Sequence, residues 1–195
     1  MTIQEIEQLY GRSPQANAFL SLLEEKSVRS VFLQGLLCSS VPMFFAPLQE
    51  KMDRTVLFVL NDADEAGYFY HDLTQMMGQE NVKILADVQV KHAHMLLPYI
   101  TVEQSAREAV DNGADGIIVT GTQIGEETPL DLIKRVKSVV KVPVFAGSGV
   151  KAENIKDQLQ IADGAIIGSS LKEGGVLTNP ISYELVKKVL DALNA

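Results

Sequence analysis

Two short turns carry the residue types that grip anions: Gly147-Ser148-Gly149 and Gly168-Ser169-Ser170, about one βα unit apart. Each follows an apolar run that reads as a buried strand, so each falls at a strand's C-terminal end. Glycines there let the backbone approach an anion, the amides point outward, and a following helix start adds positive potential. The pair predicts a site for a phosphate or sulfate ion, or for a phosphorylated small molecule. The plainer reading is two tight Gly-Ser turns.

A second group is Asp87, Lys91, His92 and His94, at the end of the run Lys83–Val90. Asp87 interrupts apolar residues, which predicts a polar side chain turned toward a site, as acid or base. His92 and His94 are two apart on an extended chain and share a face, yet no further ligand for a metal is evident. The group reads as a polar strand end with no metal. Lys91 would form a Schiff base only if desolvated, and the sequence shows no burial.

The third candidate is Gly35-Leu36-Leu37-Cys38-Ser39-Ser40-Val41, placed between a strand and a helix. A nucleotide loop there needs a second glycine, a lysine and a metal-binding hydroxyl. Ser40, Val41 and Pro42 stand in those places, and Pro42 deletes an amide that would face the anion. The segment therefore reads as a plain turn, and no cofactor is predicted.

Alternating strands and helices must position these groups. Ile3, Ile6 and Leu9, then Phe19, Leu22 and Leu23, recur at helical spacing, with Gly11 and Pro14 dividing two helices. Val31–Leu36 and Arg54–Leu60 read as strands buried on both faces. A helix over Val41–Met52 should be shortened or kinked at Pro47. Asp62 and Glu65 have capping spacing before a helix that ends at Gly78. Further on, Thr101 and Gln104 form a capping box, and Asn112-Gly113 closes that helix. Gly116–Thr120 is a strand, Thr128-Pro129 opens a helix over Leu130–Val140, and Val142–Ala146 is a strand. A short helix follows Lys151, Ala165–Ile167 is a strand, and Asn179-Pro180 starts a final helix with a stripe of Ile181, Leu185, Val189 and Leu193. The count is six strands in βα units.

Composition sets the limits. The chain has 195 residues, 46% hydrophobic, with a formal net charge of −8. That size buries a sizeable core. The acidic balance argues against non-specific binding of nucleic acid, because a phosphate backbone is repelled without a basic patch. No apolar run reaches the ~20 residues of a membrane span, and no export signal is legible. The single cysteine, Cys38, cannot pair internally, which suits a reducing cytoplasm.

Two resemblances cover nearly all of the chain. Residues 1–82 resemble the N-terminal end of bacterial transcription-repair coupling factor, the Mfd family, through GLLCSS at Gly35–Ser40 and VLNDADEAGYFYHDLTQMMGQENV at Val59–Val82. That resemblance implies a P-loop-like fragment that has lost ATP binding. Residues 83–195 resemble the BtpA family of βα barrels, implicated in photosystem I assembly. The matching segments are KILADVQVKHAH at Lys83–His94, ADGIIVTGTQIGEET at Ala114–Thr128, VPVFAGSGVKAENI at Val142–Ile155 and ADGAIIGSSLKEGGVLTNP at Ala162–Pro180. They imply the last four βα units of a barrel, with both phosphate turns included.

Taken together, these readings lead to the following expectations. The chain is one α/β domain of three layers, with about six parallel βα units in an open Rossmann or P-loop-like sheet and helices on both faces. The alternative is a curved half-barrel sheet closed by the two foreign strands. The paired ancestry predicts an engineered chimera joined at the strand near residue 82, with no designed activity, not an enzyme, and without a designed partner beyond self-association. The alternative is a natural protein that binds a phosphorylated small molecule.

Overall fold

The computed structural model describes residues 2–60, 63–88, 100–121 and 126–194. The chain divides into two compact units, Met1–Val82 and Lys83–Ala195.

The first unit is built on four helices. α1 (Ile3–Gly11) starts at a capping box, in which Thr2 Oγ1 accepts from the Glu5 amide while the Glu5 carboxylate accepts from the Thr2 amide. α2 (Pro14–Glu24) has Ser13 as its cap and Pro14 at its first position, where the missing N–H costs nothing. α3 (Ser40–Met52) runs through Pro47 for a further five residues, so the expected shortening does not occur. α4 (Ala63–Met77) ends at Gly78, whose φ of 82° lies in the left-handed region that glycine favours. The proposed cap Asp62 lies outside the described residues.

Phe19, Phe44, Phe45, Phe58 and Phe69 form a chain of ring contacts through this unit, with centroids 4.8 to 5.7 Å apart. Such pairs add about 0.5–1.5 kcal/mol each beyond burial. Two expectations fail here. Val31–Leu36 and Arg54–Leu60 are not strands; among the described residues neither has a ladder partner. Phe58 anchors the second segment through its ring contacts to Phe45 and Phe69, while Leu57 and Val59 stay 77% and 85% exposed. An apolar run sets how much area wants cover, but a strand exists only where a neighbour supplies hydrogen bonds.

The second unit is a parallel sheet of β1 (Leu85–Asp87), β2 (Gly116–Val119), β3 (Val144–Ala146) and β4 (Gly164–Ala165), hydrogen-bonded in the order β1-β2-β3-β4. α5 (Val102–Asp111), α6 (Leu130–Lys137) and α7 (Ile155–Leu159) make the crossovers, and α8 (Tyr183–Asn194) follows β4. Thr101 and Gln104 form the expected capping box, with Asn112 and then Gly113 (φ 99°) at the other end. α6 stops at Lys137, short of Val140, and α8 begins at Tyr183, leaving Ile181 outside the helix and exposed.

Because successive strands are neighbours and such crossovers are right-handed, every helix falls on the same face. The packing agrees. Ile117 and Val119 of β2 and Val144 and Ala146 of β3 share one buried cluster with Ala106 of α5, Ile133 and Val136 of α6, Ile155 of α7 and Val189 of α8. Fully burying each of the larger side chains stabilises the fold by roughly 1.5–3 kcal/mol. This corrects the expected doubly covered open sheet: four strands, not six, are present among the described residues, and their sequential order is that of a curved half-barrel.

The opposite face is layered. Register sets Leu85 beside Gly116 and Phe145 beside Gly164. A Cβ at Gly116 would lie 2.7 Å from Leu85 Cδ2, and one at Gly164 would lie 2.7 Å from the Phe145 ring. Large side chains from β1 and β3 thus spread over glycines of β2 and β4, as in a barrel interior where alternate strands fill each layer.

Two aspartates fix the strand starts. Asp115, just before β2, accepts from the Ile84 amide at 2.9 Å and pairs with Lys83; Asp163, just before β4, accepts from the Val144 amide at 2.8 Å and pairs with Lys137. The Lys137 ammonium and the Val144 amide hold the Asp163 carboxyl below its usual value. No described helix is long and apolar enough to cross a membrane.

Candidate functional site

Parallel strands bring every strand's C-terminal end to one rim, and three of the predicted groups meet there. Asp87 ends β1, Gly147–Gly149 follows β3, and Gly168–Ser170 follows β4. Lys91, His92 and His94 lie outside the described residues. Among the described residues no cluster of three His, Cys, Asp or Glu is arranged to hold a metal ion.

The first turn is locked. The Gly147 amide donates to Val119 O at 2.7 Å, continuing the ladder, and Gly149 holds φ at 66°. A Cβ on Gly149 would run into the backbone of Glu126 and Glu127, so only glycine fits against that loop. Ser148 is buried, and its hydroxyl accepts from the Gly121 amide at 3.0 Å and donates to Glu126 O at 2.6 Å. The Ser148 side chain therefore clamps two loops together. Asn154 completes the turn, donating to Gly149 O and accepting from the Lys151 amide.

The loop that the turn packs against is itself pinned from below. Thr128 is fully buried, and its hydroxyl lies 3.2 Å from both Val119 O and Ser148 O, so it is a tether and not the cap of α6. Gln158 of α7, also fully buried, donates to Glu127 Oε1 at 2.8 Å and Thr128 O at 2.9 Å. Sequence reading missed Gln158, since one glutamine in a five-residue helix carries no pattern.

The second turn is open. Gly168 is exposed, and a Cβ there would meet nothing within 4 Å. Ser169–Leu171 is a single 3₁₀ turn with no side-chain cap, and among the described residues the amides of Gly168, Ser169 and Ser170 have no acceptor. The amides of Ser148 and Gly149 in the first turn share that property. Ser170 Oγ donates to Val150 O at 2.6 Å, which fastens the second turn beside the first.

Asp87 faces the same rim. Ala86 packs on the helical core, so its neighbours Leu85 and Asp87 point to the other face. Thr120 Oγ1 donates to Asp87 Oδ1 at 3.2 Å. Thr120 was legible as a rim residue by alternation, two positions beyond Ile118, but its pairing with Asp87 was not.

The third turn closes on itself. Gly35 (φ 91°) and Cys38 (φ 48°) shape it, and Ser40 closes it on Leu37, accepting from its amide and donating to its carbonyl. Its hydroxyl is spent on the chain itself.

Sequential parallel strands, helices on one face, an interior layered by alternate strands and glycine turns at the C-terminal rim define half of a βα barrel of the TIM class. The BtpA family model matches residues 63–195, and the chain belongs to the BtpA family. It is 39% identical over 116 residues to an uncharacterised protein of Pyrococcus furiosus, a match covering 59% of this chain and 43% of that one. It is 37% identical over 116 residues to the photosystem I biogenesis protein BtpA of Synechocystis, covering 58% and 40%. The chain thus spans about two fifths of the length of the curated relatives it matches. Its fold is similar to that of thiamine phosphate pyrophosphorylase from Pyrococcus furiosus, with a TM-score of 0.50 and 14% identity over 94% of this chain and 90% of that one.

These matches overturn the expected engineered chimera. The family model begins at residue 63 and runs through residue 82, where the join was placed, and relatives occur in archaea, a nematode and a cyanobacterium. The chain is a natural family member, not a designed object. The expectation that it is not an enzyme rested on the chimera and falls with it; the fold it shares is that of an enzyme.

Proposed function

We propose that the C-terminal rim of the second unit binds a phosphorylated small molecule. The observation that carries this reading is the open turn Gly168–Ser170, whose three amides lack an acceptor among the described residues and which is fastened beside the Gly147–Gly149 turn. Grouped backbone amides with no Cβ in the way are the means by which strand-to-helix turns hold phosphate oxygens. Gly147 and Gly149 shape the floor, and the Ser148 and Gly149 amides add to the donors. Asp87 stands across the rim as the acid, base or hydrogen-bond acceptor for the rest of the ligand.

Isothermal titration with inorganic phosphate and with sugar phosphates tests the reading. Heat is expected from both and none from Gly168→Glu, which places a carboxylate among the amides. Wild-type protein that gives no heat with either would end the proposal. The resemblance of residues 1–82 to transcription-repair coupling factor rests on the quoted segments, and we attach no activity to it.

A further inference from the structure

We infer that two copies of this chain close one barrel between them, each supplying β1 to β4, with β4 of one copy running beside β1 of the other. The inference does not depend on the phosphate reading above. Three observations meet at the open side of the half-barrel.

The first is the sheet itself. In the order β1-β2-β3-β4, the strands β1 and β4 have a ladder partner on one side only among the described residues. Such edges are templates for further pairing, and a barrel removes them by closing. All four strands are parallel, so a two-fold axis along the barrel sets β4 against β1 twice and leaves no edge over.

The second is the interior. In a closed eight-stranded barrel each layer holds four side chains from alternate strands. Among the described residues each layer here holds two. Leu85 of β1 and Phe145 of β3 meet over Gly116, where a Cβ would lie 2.7 and 3.2 Å from them. Ile118 of β2 and Ile166, just past β4, form the next layer. Ile118 is level with Phe145 and Phe145 with Gly164, while Ala165 packs on the helical core, so Ile166 turns inward. Leu85 and Ile166 are 44% and 47% exposed, whereas Ile117 and Val144 on the helical face are fully buried. A second copy brings the same two side chains to each layer and makes four.

The third is α8. Lys188 pairs with Glu153, just before α7, and so marks the flank of α8 that faces α7. Tyr183, Leu190 and Leu193 lie roughly half a turn round from Lys188 at ~3.6 residues per turn, and all three are exposed. A helix flank that ends a fold is normally polar, and an apolar one calls for a neighbour. Right-handed crossovers place the next βα unit on that side, beyond β4, where the partner copy's β1 comes in. With the inner face, these side chains expose on the order of 500 Å² per copy before the strand edges are counted, a large part of the ~800 Å² per partner of a standard interface.

Sedimentation equilibrium on the whole chain tests this. The wild type should run at twice the 21.3 kDa of one chain across the micromolar range. Ile166→Lys places a charge in an interior layer and Leu190→Lys one on the open flank of α8. Both residues are exposed in the single chain, so each variant should keep the far-UV circular dichroism of the wild type and sediment at half its mass. Phe32→Lys, at an exposed residue of the first unit, should leave the dimer intact. A monomeric wild type would overturn the inference, as would open-ended larger species, which a closed two-fold barrel forbids. A dimer that survives both Ile166→Lys and Leu190→Lys, or that is lost in Phe32→Lys, would place the interface elsewhere and overturn it too.

Discussion

The two glycine-serine turns have nearly the same residues and opposite surroundings. Gly147–Gly149 spends its serine on a clamp between the Gly121 amide and Glu126 O, and its last glycine on a contact that no Cβ survives. Gly168–Ser170 fastens only Ser170 Oγ and leaves Gly168 with open space around it. What separates them is the neighbour. The backbone of Glu126 and Glu127, beyond β2, packs against the first turn, while the chain after β4 continues into the short 3₁₀ turns Ser169–Leu171 and Glu173–Gly175. A glycine signals that the backbone needs room, and the structure determines whether protein or ligand takes the room.

Substitutions that exchange the two roles should break the comparison. The largest effect is expected from Gly149→Val, which combines a positive φ with a collision against the Glu126 backbone; urea unfolding should show a loss of about 3 kcal/mol or more. Ser148→Ala comes next. It leaves the buried Gly121 amide without its acceptor and should cost roughly 1–3 kcal/mol by the same measurement. Gly168→Ala, by contrast, should change stability by no more than about 0.5 kcal/mol, since nothing meets the added methyl. A stability loss at Gly168 as large as at Gly149 would show that both turns are structural.

The smallest effects are electrostatic and depend on pH. Asp163 joins the strands that carry the two turns, and its pKa is lowered by Lys137 and the Val144 amide. A carboxyl with a depressed folded pKa stabilises above its unfolded value of 3.8 and loses that contribution as pH falls through the folded one. The pair is well exposed, so Asp163→Asn should cost less than about 1 kcal/mol at pH 7, and the difference from wild type should shrink below pH 4. Glu103 of α5, paired with Arg135 of α6, follows the same sign. Its hydrogen bond from Arg135 brings it down to about 2 from 4.5, so any difference between wild type and Glu103→Gln should fade as pH drops from 4.5 toward 2. Denaturant midpoints across that range provide the check.

The second unit was far more legible than the first, for a physical reason. Its helix ends are marked by local chemistry: the Thr101 and Gln104 capping box and the left-handed Gly113 depend on residues three or four apart. Its strands carry one buried and one less buried face, as the pattern at Val144–Ala146 shows. In the first unit the helices were equally plain, yet the apolar runs at Val31–Leu36 and Arg54–Leu60 misled. Apolar content is a local property, whereas a ladder partner is a distant one. At the rim, the turns and Asp87 were visible as residue types. The commitment of Ser148, the Thr120–Asp87 pair and the buried Gln158 were not, since each joins positions 22 to 33 residues apart.

The sequence by itself determined most of the helices and the capping box at Thr101 and Gln104, the family resemblance of residues 83–195, and which residues stand at strand ends. Those are settled by contacts a few residues long and by composition. Only the tertiary structure decided that the strands run in sequential order with all helices on one face, that one glycine turn is packed and the other open, and that Asp87 meets Thr120. Each of these depends on which distant backbone lies alongside, and side-chain chemistry read in order along a chain carries no record of that.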